Sequence, residues 1–344
     1  MSSLAVIGVG YWGPNLVRNF MSLGAFDEVV ACDRDAARLA SVCQRFPGLQ
    51  DCTDPEELWN RADVEAVVIA VPVRFHYDLA KAALSAGKHV LIEKPMTQTA
   101  EQARELVDLA EAKNLTLMVD HTFIYTGAVE KIEQIVRRQD LGTFYYIDSV
   151  RVNLGLFQHD VNVIWDLAPH DLSIVNHILQ RRPKVVRATG QSHTDKDLPD
   201  VAYVNIEYGD SICANFHVSW LAPTKIRRMV FSGSRRMIVW NDLEDAEKIR
   251  VYDRGIELTR ISKEQEYELQ VGYRTGDVWL PNVARTEALR KVAEHFVDCC
   301  RTGKTPLTSG RDGLDVVMTL EATEMSLANA GHPVAIDGDQ MSLL

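Results

Sequence analysis

The rhythm of hydrophobic and polar positions changes near residue 120. Before that point, nearly continuous apolar runs at 4–7, 29–32, 64–71, 89–92 and 115–119 alternate with segments of helical period. Apolar runs without polar alternation mark strands covered on both faces. The intervening periodic segments are 15–24, 34–46, a short helix opened by Asp54-Pro55-Glu56-Glu57, 76–86 and 99–114. Asp54 reads as an N-cap, with proline at the first helical position and acids in the first turn. Strands alternating with helices predict βαβ units and a parallel, doubly wound sheet.

Beyond residue 120 the helical segment 127–138 is followed mainly by strand-like segments: 143–154, 184–193, 202–208, 212–220, 228–240 and 248–252. Tyr208-Gly209-Asp210 predicts a hairpin and Ser232-Gly233-Ser234 a turn or bulge, so this part is expected to form an antiparallel sheet. Ile212, Ala214, Phe216, Val218 and Trp220 alternate with Cys213, Asn215, His217 and Ser219, which predicts one apolar and one polar face. Residues 253–280 are the least periodic and read as a loop over a site, and helices at 286–301 and 314–330 close the chain. The expected architecture is an α/β domain over 1–121 and an α+β domain with a large open antiparallel sheet over 122–344.

Motif spacing gives the first part a chemistry. Gly8, Gly10 and Gly13 form G-x-G-x-x-G directly after the first run, Pro14 opens the helix, and Asp33 ends the second run. Gly8 permits a tight turn, Gly10 lets the backbone approach a pyrophosphate, and Gly13 lets helix and strand pack closely. The helix N-terminus adds N–H donors and a positive dipole end. Strand before, helix after and acid at the end of the second strand are the context that turns this motif into a dinucleotide site. A carboxylate at Asp33 accepts from ribose hydroxyls and repels a 2′-phosphate, favouring NAD over NADP, while Arg34 is the residue placed to pair with such a phosphate. Asp33 also reads as a helix N-cap before Ala36, a compatible role. Ligands of doubly wound sheets lie beyond the carboxyl ends of the strands, where Gly8, Asp33, Pro72, Glu93-Lys94-Pro95 and Asp120-His121 all fall.

Composition narrows the classes. A length of 344 residues suits two domains, and a net charge of −11 argues against nucleic acid or an anionic membrane as partner. No apolar run approaches the ~20 residues that span a bilayer, and Met1-Ser2-Ser3 leads into the first strand without a basic leader. Six cysteines are scattered without C-x-x-C spacing, which fits a reducing cytoplasm. No His/Cys spacing suggests a metal.

Two places carry candidate catalytic groups. Lys94 ends a parallel strand, where an ammonium with three donors suits a reacting hydroxyl; a solvated surface lysine is the alternative. Asp166 and His170 are four apart and share a face if a helix begins at Asp166, with Pro169 in its first turn. A histidine with a pKa of about 6.5 accepts a hydroxyl proton as hydride leaves the carbon. Taken alone, a histidine and a capping aspartate are structural more often than catalytic. The bases Lys225, Arg227, Arg228, Arg235 and Arg236 read as a solvated strand face, with a diphosphate as the other reading.

These residues together resemble the glucose–fructose oxidoreductase, inositol dehydrogenase and rhizopine-catabolism (Gfo/Idh/MocA) family. Gly8–Gly13 (GVGYWG), Ala86–Pro95 (AGKHVLIEKP), the D-x-x-x-H of Asp166 and His170, and His295-Phe296 carry the likeness over nearly the whole chain. It implies a Rossmann domain, a second domain whose open sheet forms a homodimer or homotetramer, C-terminal helices returning to the first domain, and Lys94, Asp166 and His170 as catalytic residues. It further implies cofactor contacts from Gly8, Gly10, Tyr11, Trp12, Gly13, Asp33, Arg34, Pro72, His76, Glu93 and Lys94, and substrate contacts from His121, Tyr125, Arg151, Asn153 and Tyr273. GYWGPN, HTFIY, RVNLG and YRTGDVWLP look most like members that oxidise C3 of a UDP-N-acetylhexosamine or its uronic acid. Glu287-Ala288-Leu289 stands where related members carry Glu-Pro-Leu, a departure expected to alter a loop. Inositol, a free or antibiotic-pathway sugar, a glycoside cleaved through transient oxidation, and a non-catalytic NAD-binding sensor are the alternatives.

Overall fold

The computed structural model describes residues 2–155, 161–194, 198–260, 269–338 and 340–344. The apolar runs of the first part become six parallel strands: β1 (Ser3–Ile7), β2 (Glu28–Cys32), β3 (Gln50–Cys52), β4 (Val64–Ile69), β5 (His89–Glu93) and β6 (Leu117–Asp120). Their order is β3-β2-β1-β4-β5-β6, the doubly wound arrangement that follows from right-handed βαβ crossovers. Helices α1 (Gly13–Leu23), α2 (Ala36–Arg45), α3 (Pro55–Asn60), α4 (His76–Ser85) and α5 (Ala100–Ala112) make the connections. β3 lies in a stretch with no apolar run, since Gln50 and Asp51 face solvent, and the hydropathy pattern misses it.

Local chemistry sets several helix starts. Asp35, Asp54 and Thr99 cap α2, α3 and α5 by accepting from backbone N–H groups of the first turn, a contribution of about 1 kcal/mol each. The capping expected of Asp33 therefore belongs to Asp35.

After α6 (Gly127–Arg137) come β7 (Phe144–Leu154), α7 (Val163–Leu179), β8 (Val185–Gln191), β9 (Val201–Gly209), β10 (Ile212–Ser219), β11 (Leu221–Gly233) and β12 (Met237–Asn241). The chain continues through β13 (Ile249–Arg260), β14 (Leu269–Trp279), α8 (Ala288–Thr302), α9 (Gly310–Ala328), β15 (Val334–Asp337) and β16 (Gln340–Leu343). Ten strands form one sheet in the order β14-β13-β12-β11-β7-β10-β9-β8-β15-β16. Its pairs are antiparallel except β7 with β10, which run parallel. The alternation along β10 is realised over 213–218: Ala214, Phe216 and Val218 are buried, while on the other face Cys213 and His217 are half-buried and Asn215 is exposed; Ser219 and Trp220, at the end of the strand, are both buried.

Two expectations are corrected. Residues 253–260 and 269–279 are not loop: they belong to β13 and β14, which pair antiparallel at the sheet edge. Ile256, Tyr273, Val278 and Trp279 are exposed there, so beyond the buried Ile249 and Val251 these apolar positions form no buried stripe for hydropathy to reveal. The segment 228–240 is two strands, broken after Gly233, where a Cβ would lie 2.4 Å from the Leu141 carbonyl oxygen.

The chain divides into two compact units, residues up to Tyr125 with Thr286–Glu321, and Thr126–Arg285 with Ala322–Leu344. In the first, Leu16, Val17 and Phe20 of α1 pack with Leu289, Val292 and Phe296 of α8, and the rings of Phe20 and Phe296 meet edge-on at 6.2 Å. Glu287 precedes α8 without capping it; its carboxylate pairs with Arg18 and accepts from Asn19 Nδ2 at 3.4 Å. In the second unit α7 packs on β10 and β7. No helix among the described residues is long and apolar enough to cross a membrane.

A methyl group on residue 13 would lie 2.0 Å from the carbonyl oxygen of Gly8. Gly13→Ala must displace backbone, so it is expected to destabilise the protein by about 1–3 kcal/mol. The measurement is the urea unfolding midpoint, and an unchanged midpoint contradicts the close approach described.

Candidate functional site

The turn after β1 is shaped by backbone contact. Gly8 has φ +91°, and a Cβ there would lie 2.5 Å from the carbonyl oxygen of Ala70. A Cβ on Gly10 would meet only Arg38 Nη1, at 4.0 Å, leaving the backbone open to a ligand. Helix α1 begins with no side-chain cap and no acid in its first turn. Pro14 carries no N–H and that of Asn15 donates to the Trp12 carbonyl at 2.9 Å, so it is the helix dipole that points at the turn with no acid of its own to meet it. Asp33 Oδ2 accepts from the N–H of Val9 at 2.9 Å and pairs with Arg38 at 3.3 Å, and Oδ1 accepts from the N–H of Asp35 at 3.0 Å. A cleft of about 420 Å³ is lined by Gly8, Gly10, Asp33, Arg34, Arg38 and Pro72 among others. Cradle, helix end and acid together fit a dinucleotide. Tyr11 is 90% exposed beside the turn, with Trp12 stacked on it at 6.4 Å. Arg38, on α2, is the residue here that sequence reading passed over; its place one helical turn after Asp35 was the available signal.

At the other end of the same sheet edge, β5 delivers Glu93 and Lys94. His76 is buried rather than presented to the cleft: its ring nitrogens lie 2.9 Å from the carbonyl oxygen of Pro95 and 2.7 Å from that of Val71. It ties the loop after β4 to the loop after β5, and burial holds its pKa below the usual value. Tyr125 is buried too. Its hydroxyl and Thr308 Oγ1 are 3.2 Å apart, and burial pushes its pKa up. His121 is buried beside Asp120, and desolvation lowers its pKa to about 3. Of the residues expected at cofactor or substrate, His76 and Tyr125 are therefore engaged by the protein itself.

In the second unit, α7 carries Asp166 and His170. Its cap is Asn162, which accepts from the N–H groups of Ile164 and Trp165 at 3.0 and 3.2 Å. Asp166 is thus not the cap expected, and Pro169 lies inside the helix. The pair remains one turn apart on one face, since residues four apart are neighbours on a helix. Asp166 Oδ2 accepts from the indole N–H of Trp220 at 3.0 Å. Trp220 occupies the single position between β10 and β11, strands that flank β7 without pairing with each other. The chain therefore crosses the end of β7 at this tryptophan, and the N–H of Gly155 donates to its carbonyl at 3.1 Å.

Beneath the helix, Arg151 of β7 donates Nε and Nη2 to Asp171 at 3.0 and 2.6 Å, while Ser149 Oγ donates to the same carboxylate at 2.9 Å. Arg151 and Asp171 are both buried. Arg151, expected to hold substrate, fixes the residue next to His170 through this pair. Asn153 follows half-buried on β7, and Tyr273 stands 83% exposed on β14. The basic cluster disperses: Arg227 pairs with Asp242 at 3.6 Å, Arg235 donates to the Gln139 carbonyl at 2.6 Å, and Arg236 lies 3.7 Å from Asp253. Among the described residues no group of three or more His, Cys, Asp or Glu is arranged to hold a metal ion.

Comparison with known proteins agrees with this geometry. Residues 3–121 match the profile described as "Oxidoreductase family, NAD-binding Rossmann fold", and residues 129–239 that of the "GFO/IDH/MocA C-terminal domain". UDP-N-acetylglucosamine 3-dehydrogenase of Acidithiobacillus ferrooxidans is 32% identical over 69% of this chain and 71% of its own. D-apiose dehydrogenase of Paraburkholderia graminis is 24% identical over 96% of this chain and 89% of its own. The structure of a levoglucosan dehydrogenase complexed with NADH and L-sorbose superposes with a TM-score of 0.82 at 18% identity, over 98% of this chain and all of that one, a likeness of fold.

Removing one partner of the buried Arg151–Asp171 pair leaves an uncompensated charge. Arg151→Leu is expected to cost about 3–5 kcal/mol, whereas Arg151→Leu with Asp171→Leu costs much less. Equal losses in denaturant titrations of the two variants would contradict the pairing.

Proposed function

Because the chain belongs to the Gfo/Idh/MocA oxidoreductase family, we propose that it transfers hydride between NAD and a secondary ring hydroxyl or ketone of a sugar, with C3 of a UDP-linked sugar favoured. The single observation that carries the reading is Asp166 and His170 on one face of α7, the acid anchored by Trp220, in a chain whose β5 leads into Lys94. The named relative with 32% identity, a nucleotide-sugar 3-dehydrogenase, supports the substrate class.

Bound NAD supplies the hydride acceptor. The turn of residues 8–13 and the first turn of α1 would hold its pyrophosphate, and Asp33 its ribose hydroxyls. The remaining chemistry belongs to side chains. His170 takes the proton of the ring hydroxyl as a general base. Lys94 donates hydrogen bonds to the same oxygen and stabilises the charge that grows there. Asp166, its Oδ2 engaged by Trp220, orients a neighbouring substrate hydroxyl or the imidazole. Arg151 and Ser149 act through Asp171 to hold this stretch of α7 in place. The open face of the second unit's sheet, where Tyr203 stacks on His217 at 4.5 Å, is the surface we assign to self-association.

A second reading, a free sugar as substrate, is favoured by the D-apiose dehydrogenase likeness, which extends over 96% of the chain.

The test is NADH formation across UDP-N-acetylglucosamine, its uronic acid, inositols, apiose and free hexoses. UDP-sugars are expected to react best; turnover of free sugars alone would move the assignment to the second reading. Lys94→Ala and His170→Ala are each expected to lower turnover by about 100-fold or more while NAD still binds. Full activity in either variant would sink the assigned roles. Asp33→Asn removes the charge that repels a 2′-phosphate, so the preference for NAD over NADP is expected to fall by about tenfold. An unchanged ratio of kcat/KM values would take that role from Asp33.

A further inference from the structure

Two carboxyl groups stand side by side at the carboxyl edge of the first unit's sheet. Glu93 and Asp120 are register partners at the ends of β5 and β6. Among the described residues, Glu93 Oε1 and Asp120 Oδ2 are buried and have no hydrogen-bond donor. The remaining oxygens are served: Thr122 Oγ1 donates to Asp120 Oδ1 at 2.7 Å, and the Lys94 N–H donates to Glu93 Oε2 at 3.3 Å. An ionised carboxylate is acceptor-only, whereas a protonated one is also a donor. One proton held between the two groups supplies the donor that both orphaned oxygens lack.

The energetics point the same way. Burial, followed by the neighbouring Asp120 charge, holds the Glu93 carboxyl well above its usual range. Burial pushes Asp120 up to about 6, while its hydrogen bonds from Thr122 and Glu93 favour its anion. Two adjacent buried carboxylates cannot both ionise cheaply. The Lys94 ammonium favours the anionic form of both acids and the neutral form of His121 and His76. His121 is a second, independent sign that this corner is built for a charge and a ligand. It is buried, and among the described residues neither ring nitrogen has a hydrogen-bond partner. The groups facing the pair are thus Lys94 at the end of β5, His121 and Thr122 after β6, and Tyr125 beyond them, whose pKa the Asp120 charge helps to raise; His76 of α4 faces the lysine.

We propose that Glu93 and Asp120 share one proton and present one negative charge to Lys94, making the pair a positioning element for its ammonium. The inference rests on the role assigned to Lys94 above. Either carboxyl alone can carry the charge; with both gone nothing in the pair can.

The experiment compares Glu93→Gln, Asp120→Asn and the double variant in the holoenzyme. The double variant is expected to move the alkaline limb of the kcat–pH profile to lower pH by about one to three units, because removing an anion disfavours a neighbouring ammonium. Each single variant moves it less, and KM for NAD changes less than kcat. A merely structural role lowers stability without moving the limb, and that outcome overturns the proposal. Infrared spectroscopy of the cofactor-free protein gives a readout independent of turnover and of whether the double variant folds. Near neutral pH a protonated carboxyl band is expected that Glu93→Gln removes or shifts; its absence in the unsubstituted protein also overturns the proposal. If Lys94→Ala keeps full activity, the assigned function of the lysine fails. If Lys94→Ala is inactive and the double variant titrates normally, only the pair fails.

Discussion

The first unit depends on one close approach of backbone to backbone. Helix α1 starts so near the end of β1 that a methyl group on residue 13 would overlap the Gly8 carbonyl, at 2.0 Å. That proximity aims the N-terminal end of α1 and its dipole at the turn, and it seats Leu16, Val17 and Phe20 against α8. Gly8, with a φ no bulkier residue adopts readily, makes the approach possible. Asp33 then closes the geometry from the next strand by accepting from the Val9 N–H at 2.9 Å. A hydrogen bond to a buried-edge carboxylate thus fixes the turn and leaves the acid at the rim of the cleft.

The second unit solves a different problem, which is to hold a short polar constellation steady on a helix. Asp171 is buried with Arg151 and Ser149, and Asp166 is held through Trp220. Glu324 adds a third anchor, accepting from the Trp165 indole N–H at 3.0 Å and from Asn162 Nδ2. A buried ion pair adds little net stability, yet breaking one is costly, so it is better suited to fixing orientation than to strengthening the fold. The aspartate–histidine pair sits on a helix whose first two turns are tied down from several sides.

Much of this was legible because its causes are local. The glycine turn, Asp33 and Lys94 follow from spacing along the chain, and the alternation along β10 follows from the pleat. What escaped has non-local causes. Asn162 and Asp166 are both plausible caps, and Pro169 favours the later start because an interior proline costs about 3 kcal/mol; the contacts of Asn162 and Trp165 with Glu324 favour the earlier one. The partner of Arg151, Asp171, is 20 residues away in the chain and meets it only once α7 packs on β7. Asp120 acquires a partner only through the register of β5 with β6. In β13 and β14, Ile256, Tyr273, Val278 and Trp279 are exposed, so past Val251 these apolar positions show no alternation of buried and exposed residues.

The insertion of β7 between β10 and β11 has a further consequence for how the second unit is assembled. β8, β9 and β10 form one meander, β11 to β14 another, and each pairs mostly with its neighbours in the chain. Only β7 stitches them together, parallel to β10 on one side and antiparallel to β11 on the other. Contacts between sequence-distant strands form late, because loop closure must precede their reward. The two meanders are joined through β7, and Trp220, at the point where the chain crosses the end of β7, is where the join meets α7. The indole that holds Asp166 therefore ties the polar constellation on α7 to the continuity of the sheet.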